Sequence, residues 1–230
     1  WLAGMGWLLV DADRQFDLFL QLGMFLSGLF VTCLFCHGEL YRLRPAPRHL
    51  TAYYLTIAAG GALGGLLVAV VAPLAFDGYY ELGLGMVAVA LLVALRCAGL
   101  RPLARNLSLA VLMGVTGAAI YDVLRFQQDT RVASRNFYGV LRVKEYGTPG
   151  GTDHLRRLMH GVIMHGEQFL HPEQRGMATT YYQRTSGIGA ALLARRERPG
   201  VMHVGVIGLG TGTLAAYGRR GDTYRFYDIN

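Results

Sequence analysis

Three glycines at alternate positions, Gly208, Gly210 and Gly212, follow the apolar run at residues 202–207 and precede the helix formers Leu214, Ala215 and Ala216. Glycine at such a place lets the backbone turn tightly and lets a ligand approach the main chain closely, with the N–H groups of the following helix start as donors. Asp228 stands 20 residues after Gly208, at the end of a second strand-like run, where a carboxylate accepts hydrogen bonds from ribose hydroxyls. Strand, glycines, helix, strand and acid in that order describe a nucleotide-binding turn. The spacing is GxGxG, and Thr213 occupies the place of the third glycine of a dinucleotide fingerprint. That favours an S-adenosyl ligand, which has no pyrophosphate to cradle, over NAD. Gly208, Gly210, Thr211, Gly212 and Asp228 are therefore the candidate cofactor-binding residues.

These residues need a scaffold, and the segments upstream supply one. Residues 135–146 alternate apolar and polar side chains in part, Thr148-Pro-Gly-Gly-Thr152 is a turn, and residues 155–170 read as a strand pair or one long strand with bends at Gly161 and Gly166. Together they predict a small antiparallel β-subdomain. Residues 179–196 fit a helix weakened in its middle by Gly187 and Gly189 and ended by Arg198-Pro-Gly200.

The first half of the chain is of another kind. Hydrophobic residues make up 53% of the 230 and charged residues only 16%, against about 25% in ordinary soluble domains. The mean hydropathy is +0.31. Disordered, collagen-like and disulfide-scaffold classes are excluded by this balance. Residues 18–36 and 51–76 are charge-free runs of membrane-spanning length, and residues 82–95 and 106–121 reach that length with their flanks. Residues 1–10 read as the end of a further helix. The second run carries Gly60, Gly61, Gly64 and Gly65, two interleaved small-xxx-small pairs that offer a flat strip for helix packing or for a homo-oligomer. Cys33-Leu-Phe-Cys36-His37 spells a haem-attachment pattern, but cysteines in the last turns of an apolar helix are ordinary small hydrophobes. Glu39, just beyond, is expected to pair with Arg42 or Arg44.

Charge separates the halves: residues 1–128 hold 8 basic and 7 acidic groups, residues 129–230 hold 14 and 8. Arginines in the loops at residues 41–49 and 96–105 place those loops in the cytoplasm by the positive-inside rule. Strict alternation over four spans would then put the soluble half outside. An enzyme using adenosyl cofactors belongs inside, and the expectation is a soluble half facing the cytoplasm from a bacterial inner membrane, with either one of the shorter segments not spanning or the loop charges misleading.

From about Arg135 onward the chain resembles the spermidine synthase (aminopropyltransferase) family, and as a whole its membrane-embedded relatives, which place a hydrophobic multi-helix region before the synthase-like domain. The resemblance rests on Leu158-Met-His-Gly-Val-Ile163, similar to the family's Leu-x-Leu-Asp-Gly-Val-x-Gln segment, on Tyr181 and Tyr182, on Val206-Ile-Gly-Leu-Gly-Thr-Gly212, and on Tyr227-Asp-Ile229. It implies a fold of a transmembrane helical bundle (residues 1–125), a junction and β-subdomain (residues 126–178), and the start of a Rossmann-like, class I S-adenosylmethionine-dependent α/β domain (residues 179–230). It implies S-adenosylmethionine or its decarboxylated form as co-substrate, Gly208, Gly210 and Gly212 along the adenosyl group, Asp228 on the ribose, Tyr182 and His160 in the substrate pocket, and a catalytic Asp beyond Asn230, so that this stretch alone would be inactive.

The chain departs from the family at informative places. Thr211 stands where the glycine loop usually has Asp, His160 replaces the Asp of the Leu-Asp-Gly segment, and Ala178-Thr-Thr180 replaces an Asp-Glu pair. Each loss removes a negative group that would hold a cationic amine, which weakens the case for putrescine as acceptor. The spacings of His160, His165 and His171 fit no compact metal pattern, and no metal is expected; His160 and His165 read as pocket or strand-end residues in place of acids. Arg156, Arg157, Arg195, Arg196 and Arg198 read as solvated faces, and no aromatic-interleaved basic strip predicts nucleic acid. The expected partners are the lipid bilayer and a small-molecule amine, and the expected activity is aminopropyl transfer in polyamine biosynthesis. A methyltransferase, or a transporter-like protein with an inactive adenosyl-sensing domain, is the alternative.

Overall fold

The computed structural model describes residues 1–10 and 18–229, in two compact units, residues 1–128 and residues 129–230. The first unit is helical: α1 (Leu2–Val10), α2 (Leu18–Arg42), α3 (Leu50–Leu66), α4 (Ala72–Ala75), α5 (Glu81–Cys97) and α6 (Pro102–Gln127). Among the described residues three helical stretches are long and apolar enough to cross a membrane: Leu18–Arg42, Pro47–Ala75 and Pro102–Gln127. The chain is accordingly read as a membrane protein. Each of the four expected segments is helical, but α5 has only 17 residues, bounded by the turns at Gly78 and Gly99, so three spans rather than four reach full length. In α2 the helix runs six residues past Cys36, so His37, Gly38 and Glu39 belong to it and not to the loop. His37 Nδ1 lies 2.7 Å from the Cys33 carbonyl, an ordinary helical contact.

A wide π-helical turn at Leu67–Val71 joins α3 to α4. Pro73 accounts for it: its ring has no N–H and clashes with the carbonyl four residues back, and a widened turn relieves both faults.

The core of this unit is Met5, Met86, Ala90 and Val115, with Met24, Phe25 and Leu112 against it. Small residues set the helix spacing. A Cβ on Gly28 would stand 2.4 Å from Met5 Sδ, and one on Gly83 would stand 3.2 Å from Ala119 Cβ. Two polar contacts align the ends. Glu39 bridges Arg42 at 3.0 Å and Arg96 at 2.9 Å, which brings the ends of α2 and α5 together, and Arg125 donates to the Val10 carbonyl at 3.2 Å at the other end of α6. The α3 helix has no buried residue, and added Cβ atoms on Gly60, Gly61, Gly64 and Gly65 would meet nothing. The glycine strip meets no other described residue; Tyr53, donating to the Leu40 carbonyl at 2.5 Å, ties α3 to α2.

The second unit begins with a four-stranded antiparallel meander, β1 (Thr130–Asn136), β2 (Gly139–Tyr146), β3 (Leu155–His160) and β4 (Ile163–Phe169), in the order β1-β2-β3-β4. Both expected strand regions prove to be hairpin material: residues 135–146 span the β1–β2 turn, and residues 155–170 hold β3 and β4 around a turn at Gly161. Pairing of Glu145 with His154 at 2.8 Å and Arg156 at 2.9 Å holds β2 to β3 and the turn before it, and these partners keep the Glu145 carboxyl below its usual range.

The helix expected over residues 179–196 is shorter. A 3-10 turn at Thr180–Tyr182 comes first, and α7 (Gly187–Arg196) starts where Ser186 caps it, its hydroxyl accepting from Gly189 N–H at 3.1 Å. Gly187 and Gly189 thus lie in the first turn, where glycine does little harm, and not in the middle. Next come β5 (His203–Ile207) and β6 (Thr223–Tyr227), paired in parallel from His203↔Thr223 to Ile207↔Tyr227. Between them the expected helix is only a five-residue 3-10 turn, Thr213–Tyr217, because Gly218 returns to extended backbone before a second turn can form.

Candidate functional site

Gly208, Gly210 and Gly212 all adopt left-handed backbone, at φ 92°, 53° and 68°. The alternate spacing is therefore a demand of the loop's own path, independent of any ligand. Asp228 closes the loop from β6: its Oδ2 accepts the Leu209 N–H at 2.5 Å, and Gly208 N–H donates to the Tyr227 carbonyl at 2.7 Å. The short 3-10 turn after the loop lacks the donor array of a full helix N-terminus, so the expected helix-start donors are not provided in that form.

The loop lies against the meander. At Gly166, φ 148°, a Cβ would come within 2.4 Å of Thr211 Oγ1, so glycine is what lets β4 and the loop meet. The strand has a bulge there: pairing passes from Leu158↔Gly166 to Met159↔Met164, leaving His165 as the extra residue. Thr211 also shares a 2.7 Å hydrogen bond with Thr213.

Two hollows flank the loop. The larger, about 340 Å³, is lined by Tyr138, Leu141, Leu158, His160, His165, Leu209, Gly210, Asp228 and Ile229. Its size falls within the range of small-molecule sites, about 300–1,000 Å³. The register explains its wall: Leu141 pairs with His160 and Val143 with Leu158, so these side chains share one face of the meander. His160 Nε2 is 2.9 Å from the Tyr138 carbonyl, which can only accept, so Nε2 carries the proton. The rings of His160 and His165 are 5.7 Å apart. The smaller hollow, about 210 Å³, includes Glu167, Gln168, Arg175, Thr211, Gly212 and Thr213.

The structure thus divides the expected site residues. His160, Gly210 and Asp228 meet in the larger cleft; Thr211 and Gly212 open on the smaller hollow; Gly208 and Tyr182 line neither. At Gly208 an added Cβ would meet nothing, leaving open space beside the main chain. Tyr182 packs on Tyr181 at a ring distance of 4.4 Å, its carbonyl accepts from Tyr217 Oη at 2.6 Å, and burial, with Tyr181 second, pushes its phenol up. Tyr138, Leu141, Leu209 and Ile229 join the cleft without having been singled out; the β2–β3 register was the signal for Leu141. Among the described residues no group of three His, Cys, Asp or Glu side chains is placed to hold a metal ion.

A second acid ties the strands together at their other end. Asp222 accepts from Met202 N–H at 2.8 Å, Arg219 N–H at 2.8 Å and Arg196 Nη1 at 2.6 Å. These three donors, the backbone pair foremost, lower its carboxyl to about 2. One side chain thereby joins the end of α7, the start of β5 and the turn before β6.

No known protein family, curated protein or solved structure matches this chain.

Proposed function

We propose that the chain belongs to a membrane-bound transferase of the spermidine synthase type, which binds S-adenosylmethionine or its decarboxylated form and transfers an aminopropyl group to an amine. In this reading β5, the glycine loop and β6 open a Rossmann-like sheet. One observation carries it: Gly210 of the loop and Asp228 of the neighbouring parallel strand border a single cleft with His160. The residues fit an adenosyl ligand at two points, the left-handed backbone of Gly210 beside the cleft and the Asp228 carboxylate at the strand end.

Bound there, the ligand would supply an activated carbon beside a sulfonium, so that an amine lone pair forms the new C–N bond, the C–S pair returns to sulfur, and the nitrogen loses a proton. The chain's own part is positioning. The loop and Asp228 orient the ligand, and the Leu141 and Leu158 wall excludes water. Isothermal titration of the full-length protein with both adenosyl ligands tests the reading; a tighter decarboxylated ligand supports aminopropyl transfer, a tighter ordinary ligand favours a methyltransferase, and binding of neither refutes it.

A second reading, a transporter-like membrane protein with an adenosyl-sensing domain, is favoured by charge. The arginine loops at residues 41–49 and 96–105 share the Glu39–Arg96 end of the first unit, and α6 leaves from the opposite end. The transferase reading needs residues 129–230 in the cytoplasm. A reporter fused after Phe126 decides: a cytoplasmic signal supports the transferase, and an external one supports the sensor.

A further inference from the structure

The cleft that borders the glycine loop is poorly built for a polycation. Among the described residues lining it, Asp228 is the one carboxylate, and it already accepts the Leu209 N–H. The remaining wall is Leu141, Leu158, Leu209 and Ile229, with Gly210, the neutral Tyr138 and the two imidazoles, none of them an anion. A diamine lying here would leave its second ammonium against leucine, and an unpaired charge in an apolar wall is costly. The rim has the same character. Phe137 stands edge-on to Tyr138, one of the lining residues, and is 94% exposed. Ile163 is opposite His160 in the β3–β4 register and is 62% exposed, and its neighbour Val162 is 93% exposed. Both hairpin turns fall at the same end of the meander, since Asn136 pairs with Gly139 and His160 with both Leu141 and Ile163. Three large exposed apolar side chains thus gather at the end of the meander that carries the lining residues Tyr138 and His160.

We propose that the acceptor of this site is a primary amine with an apolar tail, and not a polyamine: the tail lies along Leu141 and Leu158 and the amino group reaches toward His160 and Asp228. This rests on the transferase reading given above and narrows its substrate.

The test uses two amines of equal length, hexylamine and 1,6-diaminohexane, which differ in one terminal ammonium. Each is titrated calorimetrically into the full-length protein in phosphatidylcholine nanodiscs, with empty nanodiscs subtracted, and decarboxylated S-adenosylmethionine is titrated in parallel. Hexylamine is expected to bind about tenfold more tightly than the diamine. Leu158→Asp is expected to reverse the order by giving the second ammonium a partner. Phe137→Ser, at an exposed tip where folding is not at stake, is expected to weaken hexylamine about threefold. Equal or tighter binding of the diamine overturns the proposal, as does binding of neither amine. Hexylamine preference without adenosyl binding would keep the amphiphile site and sink the transferase; adenosyl binding with diamine preference would do the reverse.

Discussion

Asp228 Oδ2 accepts the main-chain N–H of Leu209 at 2.5 Å, so the acid at the end of β6 is first of all a clasp on the glycine loop. Its substitution should act twice, by freeing the loop and by removing an acceptor for ribose. Asp228→Asn keeps a carbonyl acceptor for Leu209, and Asp228→Ala keeps none. Titration of the adenosyl ligands should show a loss of about tenfold in Asn and clearly more in Ala, a hydrogen bond to a charged group being worth about 1.5–3 kcal/mol. Equal affinity in all three proteins would refute the ribose role.

The contact of Gly166 with Thr211 makes a size prediction. Gly166→Ala places a methyl group 2.4 Å from Thr211 Oγ1 on backbone that L-residues rarely adopt. It should destabilise the second unit by about 1–3 kcal/mol in denaturant unfolding. Adding Thr211→Gly should recover the steric part and leave the backbone part. A double variant no better than the single one would show that the collision is not what matters.

Asp222 makes stability depend on acid. Its carboxyl titrates near 2 in the folded chain against an ordinary 3.8, so its contribution is complete above about pH 4 and is lost as pH falls toward 2. The side chain is 3% exposed, so Asp222→Asn should lower the thermal midpoint at pH 7. The gap between the two proteins should close between about pH 4 and pH 2, as seen by circular dichroism. A gap that stays constant over that window would assign the acid dependence to other groups.

In the membrane half, two glycines give opposite expectations. Gly28→Val drives a branched side chain into Met5 and should separate α1 from α2, lowering resistance to denaturing detergent by about 1–3 kcal/mol. Gly61→Val meets nothing among the described residues and should leave that resistance unchanged in dilute detergent. If Gly61→Val proved equally damaging, the strip would have to be covered in the native assembly.

What the sequence disclosed followed from local physics. Hydropathy marked the long helices because lipid-exposed backbone must be helical, and the turn residues near Gly150 and Gly161 announced the hairpins. The loop glycines were legible because left-handed backbone selects that residue. Other features depend on partners distant in sequence. Glu39 was expected to pair within its own neighbourhood, yet it also takes Arg96, which only the packing of α5 brings near. The bulge that sets His165 apart from the ladder shows in the local pattern only as a bend at Gly166, and the way Asp222 gathers α7, β5 and β6 arises from tertiary register and leaves no mark there. The late start of α7, at Gly187 instead of residue 179, has a smaller cause, the Ser186 cap, which the glycines at 187 and 189 mask in the local pattern.

The parallel pair β5–β6 has a further consequence. Two strands in a sheet have two outer edges, and Ile207, 97% exposed, stands at the end of one of these strands. Backbone groups along such edges accept any strand that comes by, including one from another molecule. Among the described residues β5 and β6 pair with no other strand, so residues 129–230 produced alone should self-associate through these edges. Solubility work on this part of the protein will turn on supplying a neighbour for β5 and β6 more than on the apolar helices that precede them.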